Sequence, residues 1–334
     1  VAQQTESITT RQRIGRLLLA ACDVCAAYPI IHLLLRAILP EQMAMMGLAG
    51  NLLQWWLLLG FPMLVAMLVL RRWACAAMSA VNIVIFFWLF GELFLPSRVA
   101  ALPTEVDSTT LTVMTYNIGN GLAEPEALVE AIRASGADII ALQEVTAEQA
   151  AALERELLTV YPYQPVYGEG IPGRELLSRY PVLETESFTL QTPHFPHLDA
   201  TLDVNGTPLR IIIAHPPPPQ VDLIVRTASA DIATLGAMAM SGEPTILLGD
   251  FNVGDQSVNY AALTRAGLND AFREAGWGFG WTYPGRLAHL APPFSFVRID
   301  YIWHTDDFRA VRAWVGQDAG SDHLPVLAEL VWER

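Results

Sequence analysis

Asp250 and Asn252 stand two residues apart at the end of residues 244–252, Pro-Thr-Ile-Leu-Leu-Gly-Asp-Phe-Asn. Thr245 to Leu248 are apolar or β-branched and are bounded by Pro244 and Gly249, the pattern of a short strand buried on both faces. Residues i and i+2 of a strand share a face, so a carboxylate and an amide would leave the rim of a sheet in the same direction. A carboxylate there can take a proton or hold a cation, and an amide can orient a polar partner. Gly-Asp-x-Asn-x-Gly is also rich in turn formers, and taken alone the segment reads as a turn.

The same kind of position recurs along the chain. Asn117, Glu144, His215, Asp300, Asp322 and His323 each fall at a predicted strand end or strand-to-loop junction. Singly, each is a cap, a turn former or a packed side chain. Together with Asp250 and Asn252 they become candidates, because a core of two packed sheets gathers such ends at one rim.

The elements that must position them alternate at first. Residues 111–118 and 138–145 read as strands, and 125–135 as a helix with Leu128, Val129 and Ile132 on one face and Gly136 at its end. Thr146 and Gln149 form a capping box for a helix over 147–160. Strand, helix, strand, helix is an α/β signature. Residues 163–213 change to successive strands at 176–181, 182–190, 197–204 and 209–214, with Asn205-Gly206 as a hairpin turn, so this stretch is predicted antiparallel. His215 precedes the stiff Pro216–Pro219 segment, which cannot continue a ladder. Helices are predicted at 221–240, with Leu223, Ile224, Ala228, Ile232 and Leu235 inward, and at 258–272. Strands at 298–303 and 324–331 complete the pattern.

The first hundred residues are different. Hydrophobic residues make up 52% of the 334-residue chain, and the excess sits in apolar runs at 17–39, 46–70 and 74–95. Each is about the length of a bilayer-spanning helix, so three transmembrane helices are expected. Arg11, Arg13 and Arg16 precede the first run, and Arg71 and Arg72 separate the second from the third. The positive-inside rule then puts the N-terminus and the Arg-Arg turn in the cytoplasm and the C-terminal part outside, against the single charge of Arg98. Leu19-Ala20-Ala21-Cys22 resembles a lipidation box, but the apolar stretch after Arg16 is too short for a signal peptide. Asp23 and His32 are expected to make polar contacts between helices. The expected organisation is an anchor at 1–97, a linker at 98–110 and a soluble domain at 111–334. The linker spans at most roughly 45 Å, which keeps the domain near the membrane surface.

Charge and cysteine usage exclude other classes. Cys22, Cys25 and Cys75 all lie in the apolar part, so the soluble part has no disulfide framework, thiolate nucleophile or zinc cluster. Residues 101–334 carry 30 acidic side chains against 13 Arg and no Lys, a net charge of −17. Nucleic acid is therefore an unlikely partner, since binding it needs a cationic footprint.

Six motifs carry a resemblance: Tyr116-Asn117, Gln143-Glu144, Leu177-Ser178-Arg179-Tyr180-Pro181, Gly249-Asp250-Phe251-Asn252, Arg298-Ile299-Asp300-Tyr301 and Ser321-Asp322-His323-Leu324-Pro325. In this order they resemble the endonuclease/exonuclease/phosphatase superfamily, which includes pancreatic deoxyribonuclease, abasic-site endonucleases, neutral sphingomyelinases and inositol-polyphosphate phosphatases. The resemblance covers about residues 109–332 and implies a four-layered α/β/β/α sandwich of two packed mixed sheets. It implies hydrolysis of a phosphate ester or anhydride with Mg²⁺ or Mn²⁺, with Glu144, Asn117 and Asp322 toward the metal. Asp250 then resembles the base for the attacking water and Asn252 its positioner. His323 resembles a phosphate contact held by Asp300, and His215 a second phosphate contact or a proton donor to the leaving group. Residues 173–176, Gly-Arg-Glu-Leu, depart from the small apolar stretch of many relatives, and Arg174 is expected to pair with a surface carboxylate, the alternative being that it reaches a substrate phosphate.

Three spans followed by an external domain of this kind resemble the undecaprenyl-pyrophosphate phosphatases of glycopeptide resistance. That layout implies a multi-pass cell-membrane enzyme whose partners are the bilayer and a lipid-linked phosphate. The competing readings are a membrane-tethered nuclease, a sphingomyelinase-like phosphodiesterase and a catalytically idle binding module. The idle module is disfavoured because no motif residue has been lost.

Overall fold

A computed structural model describes residues 10–39, 44–95, 109–219, 222–285 and 295–333. The chain divides into two compact units, one of residues 1–40 and 52–92, the other of residues 41–51 and 93–334. Most of the expected linker lies outside the described residues, and Thr109 and Thr110 belong to the first strand.

Helices α1 (Thr10–Ile38), α3 (Leu53–Leu58), α4 (Gly60–Val69) and α5 (Trp73–Phe90) form the first unit, while α2 (Ala44–Asn51) falls in the second. Two helical stretches among the described residues, Arg13–Arg36 and Trp73–Phe94, are long and apolar enough to cross a membrane. The continuous span expected over 46–70 is instead broken at Leu52 and Leu59 into α2, α3 and α4. Pro62 accounts for the interruption at Leu59: it has no N–H for the Leu58 carbonyl, while the backbone at Leu59 keeps helical angles. Asp23 finds its partner in Arg72, whose Nη2 lies 2.7 Å from the carboxylate. His32 is buried, with its ring stacked on Tyr28 at 5.8 Å.

The second unit is built on two six-stranded sheets. The first contains β1 (Thr109–Asn117), β2 (Ile139–Gln143), β3 (Val166–Tyr167) and β4 (Arg174–Ser178). The second begins with β5 (Val182–Phe188), β6 (His197–Val204), β7 (Thr207–Ala214) and β8 (Thr245–Asp250) and adds β9 (Asn269–Asp270) and β10 (Asp300–His304). β11 (Phe308–Val315) and β12 (Val326–Trp332) return to the first sheet, giving the orders β11-β12-β1-β2-β4-β3 and β5-β6-β7-β8-β10-β9. Each sheet has one parallel pair, β1 with β2 and β7 with β8. Parallel neighbours need a crossover, and α6 (Pro125–Ser135) and α8 (Asp222–Ala239) supply the two.

Leu111, Val113, Ile139 and Leu176 of one sheet meet Leu198, Ile211, Ile213, Ile246 and Leu248 of the other in a common core. Alternate residues point outward, where α6 and α7 (Ala147–Leu157) bury Leu128, Ile132 and Leu153 over the first sheet. Ile232, Leu235 and Leu263, from α8 and α9 (Val258–Ala266), cover the second. The result is α/β/β/α. Full burial contributes about 1.5–3 kcal/mol per large aliphatic side chain, so the two sheets are held chiefly by this shared layer.

Several local details differ from expectation. The helix expected over 258–272 stops at Gly267, a left-handed C-cap, and is followed by β9 and the short α10 (Ala271–Ala275). α8 buries Val225, Ala228, Ile232, Leu235 and Ala239, while Leu223 is 72% exposed. The capping box of Thr146 and Gln149 is present at the head of α7.

Candidate active site

Strand ends from both sheets meet at one rim. β1 ends in Asn117, directly opposite Gln143, and Glu144 follows β2 with φ of +60°. A non-glycine residue in that region is uncommon and strained, and here it turns the chain out of the sheet at the carboxylate. On the second sheet, Ala214 of β7 is paired with Gly249 of β8, and His215 and Asp250 are the next residues. Gly249 has φ of +147°, and a Cβ on it would clash with the Ala214 carbonyl. Only glycine permits that approach. Across the antiparallel β8–β10 pair, Asp250 faces Asp300.

Asn117 links the carboxylates. Its Nδ2 donates to Asp250 Oδ2 at 3.0 Å and to Glu144 Oε1 at 3.3 Å, while its Oδ1 accepts from the Gly119 N–H at 3.0 Å. Asn117 thus orients two acids, while its Oδ1, which has two lone pairs, accepts one backbone N–H. His215 places Nε2 3.5 Å from Asp250 and 3.7 Å from Glu144. His323 places Nδ1 2.9 Å from Asp300 and Nε2 3.6 Å from Asp250. Asn252, with φ of +55°, donates its backbone N–H to Asp250 Oδ1 at 2.8 Å and its side-chain amide to the Pro216 carbonyl at 3.0 Å. That second bond ties the turn after β8 to the segment after His215.

Asp322 is brought in by its neighbours. The Ser321 hydroxyl donates to the Asn117 carbonyl at 2.7 Å and accepts from the His323 N–H at 3.1 Å. A Cβ on Gly119 would stand 2.9 Å from Asp322 Oδ1, so glycine there leaves room for the carboxylate. All eight residues singled out in the sequence therefore converge.

Burial sets their charge states. It pushes the Asp250 carboxyl up to about 7, although His323 and the hydrogen bonds from Asn117 and Asn252 pull the other way. Glu144 is raised chiefly by burial, and the nearby charge of Asp322 adds to this. Burial alone would lower His323, but the carboxylates of Asp300 and Asp250 hold it at about 10, so the imidazole is charged at neutral pH. His215 is pushed well below its usual range by burial, with Arg174, His323 and His197 adding to the effect, and is neutral.

Glu144 and Asp322 offer hard oxygen donors at adjacent positions, a set suited to Mg²⁺ or Mn²⁺. Burial and their mutual repulsion make the pair favour a cation. Asp250, Asp300 and His323 also bring potential ligand atoms within 4.8 Å of one another. Because the His323 ring is charged and bonded to Asp300, that trio is better described as a charge relay of side chains than as a metal cage.

Other residues reach the rim from outside the motifs. Arg174 does not pair at the surface; it is fully buried, and its Nη1 donates to the Ile171 and Gly173 carbonyls at 2.8 and 2.7 Å. Burial brings its guanidinium down to about 10, partly offset by Glu144 and Asp250, so it remains a cation beside the site. His197 accepts the His215 backbone N–H at Nδ1, and Tyr283 lays its ring 4.9 Å from that of His323. Their signals in the sequence were weak, since each sits outside a motif. Conversely, Arg179 of the Ser-Arg-Tyr-Pro motif stays outside, paired with Asp138 at 2.8 Å. Arg298 is locked under the second sheet by Asp270 at 2.7 Å.

Comparison with known proteins agrees with this geometry. The chain is 28% identical over 275 residues to the "uncharacterized protein YbhP" of Escherichia coli (strain K12), an alignment spanning 69% of this chain and 99% of that one. Its fold is similar to that of an endonuclease/exonuclease/phosphatase from Beutenbergia cavernae, with a TM-score of 0.57 and 22% identity over 67% of this chain and 72% of the other. It is also similar to the Bacteroides thetaiotaomicron mannosyl-6-phosphatase Bt3783, with a TM-score of 0.53 and 19% identity over 66% and 100% of the two chains. A family model described as "Endonuclease/Exonuclease/phosphatase family" matches residues 114–323, which reach from β1 to His323 and take in every residue of the rim. That match covers more than half of the sequence, and the chain belongs to the endonuclease/exonuclease/phosphatase family.

Proposed function

We propose that the chain is a membrane-anchored, divalent-cation-dependent phosphohydrolase acting outside the cell membrane on a lipid-linked phosphate or pyrophosphate. The observation that carries the hydrolase reading is the juxtaposition of a charged His323, a carboxylate of raised pKa at Asp250 and an acidic pair at Glu144 and Asp322. Hydrolysis of a phosphoryl group needs an in-line water and neutralisation of charge on the non-bridging oxygens. Asp250 takes the proton of that water, held in place by the donors from Asn117 and the Asn252 backbone. His323 presents its charge to the phosphoryl oxygens, kept charged by Asp300. Glu144 and Asp322 would hold the cation, which when bound acts as a Lewis acid on the phosphoryl group. His215, being neutral, stands close to Asp250 and Glu144 as a polar neighbour rather than as an acid.

The membrane reading is supported by the two long apolar helices and by their surfaces. Leu17, Val69 and Trp88 of the helical unit each expose more than two thirds of their area, which suits lipid better than water. The acidity of residues 101–334 favours a lipid-linked substrate over nucleic acid.

The test uses the full chain in detergent with Mg²⁺, against a polyprenyl pyrophosphate, a choline phospholipid and plasmid DNA, with Glu144→Ala and EDTA as controls. Phosphate release from the polyprenyl substrate, lost in both controls, is expected. Cleavage of DNA alone would overturn the substrate assignment, and protection of the C-terminal unit from protease on intact cells would overturn the outward orientation.

A further inference from the structure

Arg174 is the largest charged side chain fully buried in the second unit, and it is only partly satisfied. Nη1 is bonded to two carbonyls, while Nε and Nη2 have no hydrogen-bond partner among the described residues. Leaving charged N–H groups unpaired in a dry interior is costly, so a partner outside the protein is the economical explanation. The location says what that partner is. Arg174 opens β4 opposite Gln143, one residue before Glu144, and its charge acts on Glu144, Asp250, His197 and His215. Among the described residues no carboxylate forms an ion pair with it.

The two unpaired groups are adjacent on one edge of the guanidinium. Nε–H and Nη2–H lie parallel and form the fork that takes two oxygens of one oxyanion. We propose that this edge of Arg174 grips two non-bridging oxygens of the substrate's phosphoryl group, making the site selective for a terminal phosphoryl over an internal diester. The reason is a count of oxygens. A terminal phosphoryl, in a monoester or at the end of a pyrophosphate, has three non-bridging oxygens, so two can meet Arg174 and the third remains for the acidic pair's cation. A diester has two in all, so the fork and the cation would have to share an oxygen. Charge points the same way: a terminal phosphoryl carries close to two negative charges at neutral pH against one for a diester. Arg174 adds a second fixed cation to that of His323.

This inference rests on the phosphohydrolase reading and adds its substrate class. The full chain in detergent with Mg²⁺ is assayed on p-nitrophenyl phosphate and on bis(p-nitrophenyl) phosphate, as wild type and as Arg174→Gln. Wild type is expected to prefer the monoester. Arg174→Gln is expected to lose about a hundredfold in kcat/KM on the monoester, the scale of a charge-assisted hydrogen-bond pair, and less than about threefold on the diester. Equal losses on both substrates would reduce Arg174 to a prop for the fold, and no loss on either would remove it from the site. Should Arg174→Gln fail to fold, wild type still decides the matter through inhibition by inorganic phosphate and by dimethyl phosphate. Phosphate binding about tenfold or more tighter supports the fork, and equal binding or a preference for the diester overturns it. A wild type silent on every phosphate compound would instead sink the hydrolase reading itself.

Discussion

Asp250 and Asp300 face one another across the antiparallel β8–β10 pair, and His323 stands between them, 2.9 Å from Asp300 and 3.6 Å from Asp250. Two carboxylates directly opposed in a ladder repel. The imidazolium converts that repulsion into a device: Asp300 fixes the ring and its charge, and Asp250 is left as the group whose protonation changes near neutrality.

Removing the ring should therefore cost more than removing its support. His323→Ala is expected to lower kcat by about 10²–10⁴. Asp300→Asn keeps the ring but releases its proton earlier, so the decline in rate at high pH should move down from about 10 toward the ordinary histidine range. A kcat for His323→Ala within tenfold of wild type would exclude it from the chemistry.

The acid side of the same profile belongs to Asp250. A base must be ionised, so kcat/KM should rise with pH through a midpoint at or below about 7, a bound cation stabilising the carboxylate further. Asp250→Asn should abolish both the rise and the activity. A rate independent of pH between 5 and 8 would contradict the assignment.

Cation binding should be visible without turnover. A ligand that binds only the folded state at about a hundredfold over its Kd stabilises it by about 2.7 kcal/mol. Mg²⁺ is expected to raise the Tm of the wild type in detergent and to leave that of Glu144→Ala unchanged. An equal rise in both would place the cation elsewhere.

Glu175, the neighbour of Arg174 in β4, gives a stability test. It is fully buried beneath α7, neither oxygen has a hydrogen-bond partner among the described residues, and burial raises it from 4.5 to about 8. Below pH 4.5 both folded and unfolded chains hold the proton. Between 4.5 and 8 the unfolded chain ionises first, so stability falls as pH rises and levels off above 8. Glu175→Gln should be neutral at pH 4 and stabilising at pH 8 by on the order of 2–5 kcal/mol. Equal Tm values for the two proteins at pH 8 would refute it.

Gly249→Ala probes the backbone beside Asp250. Its Cβ would collide with the Ala214 carbonyl, so the β7–β8 pair must part. A loss above about 3 kcal/mol, together with activity, is expected. A folded, active variant would show that the strand can shift without displacing Asp250.

The rim was legible because its residues lie at strand ends, where polar types interrupt apolar runs and hold fixed spacings. Arg174 was legible only as one of two alternatives, because it opens a strand next to Glu175, and a charged pair in sequence resembles a solvated edge. β11 was hidden for a different reason. Phe308–Val315 carries alanines and arginines, and its register shifts between Ala310 and Arg312, so the alternation that marks a strand is broken midway. Over 46–70 the apolar run is helical, with Leu53–Val69 shorter than the other two stretches, and hydropathy alone does not register the interruptions at Leu52 and Leu59. The break at Gly267 was present in the sequence as an ordinary helix stop.

β12 enters the first sheet between β1 and β11, and the segment leading into it delivers Asp322 and His323. Neither half of the sandwich owns a working set of groups, and the charged imidazole comes with the strand made last among those described. A chain emerging from the ribosome thus carries Glu144, Asp250 and Asp300 well before Asp322 and His323. The rim is therefore complete only once the closing stitch is drawn between β11 and β1.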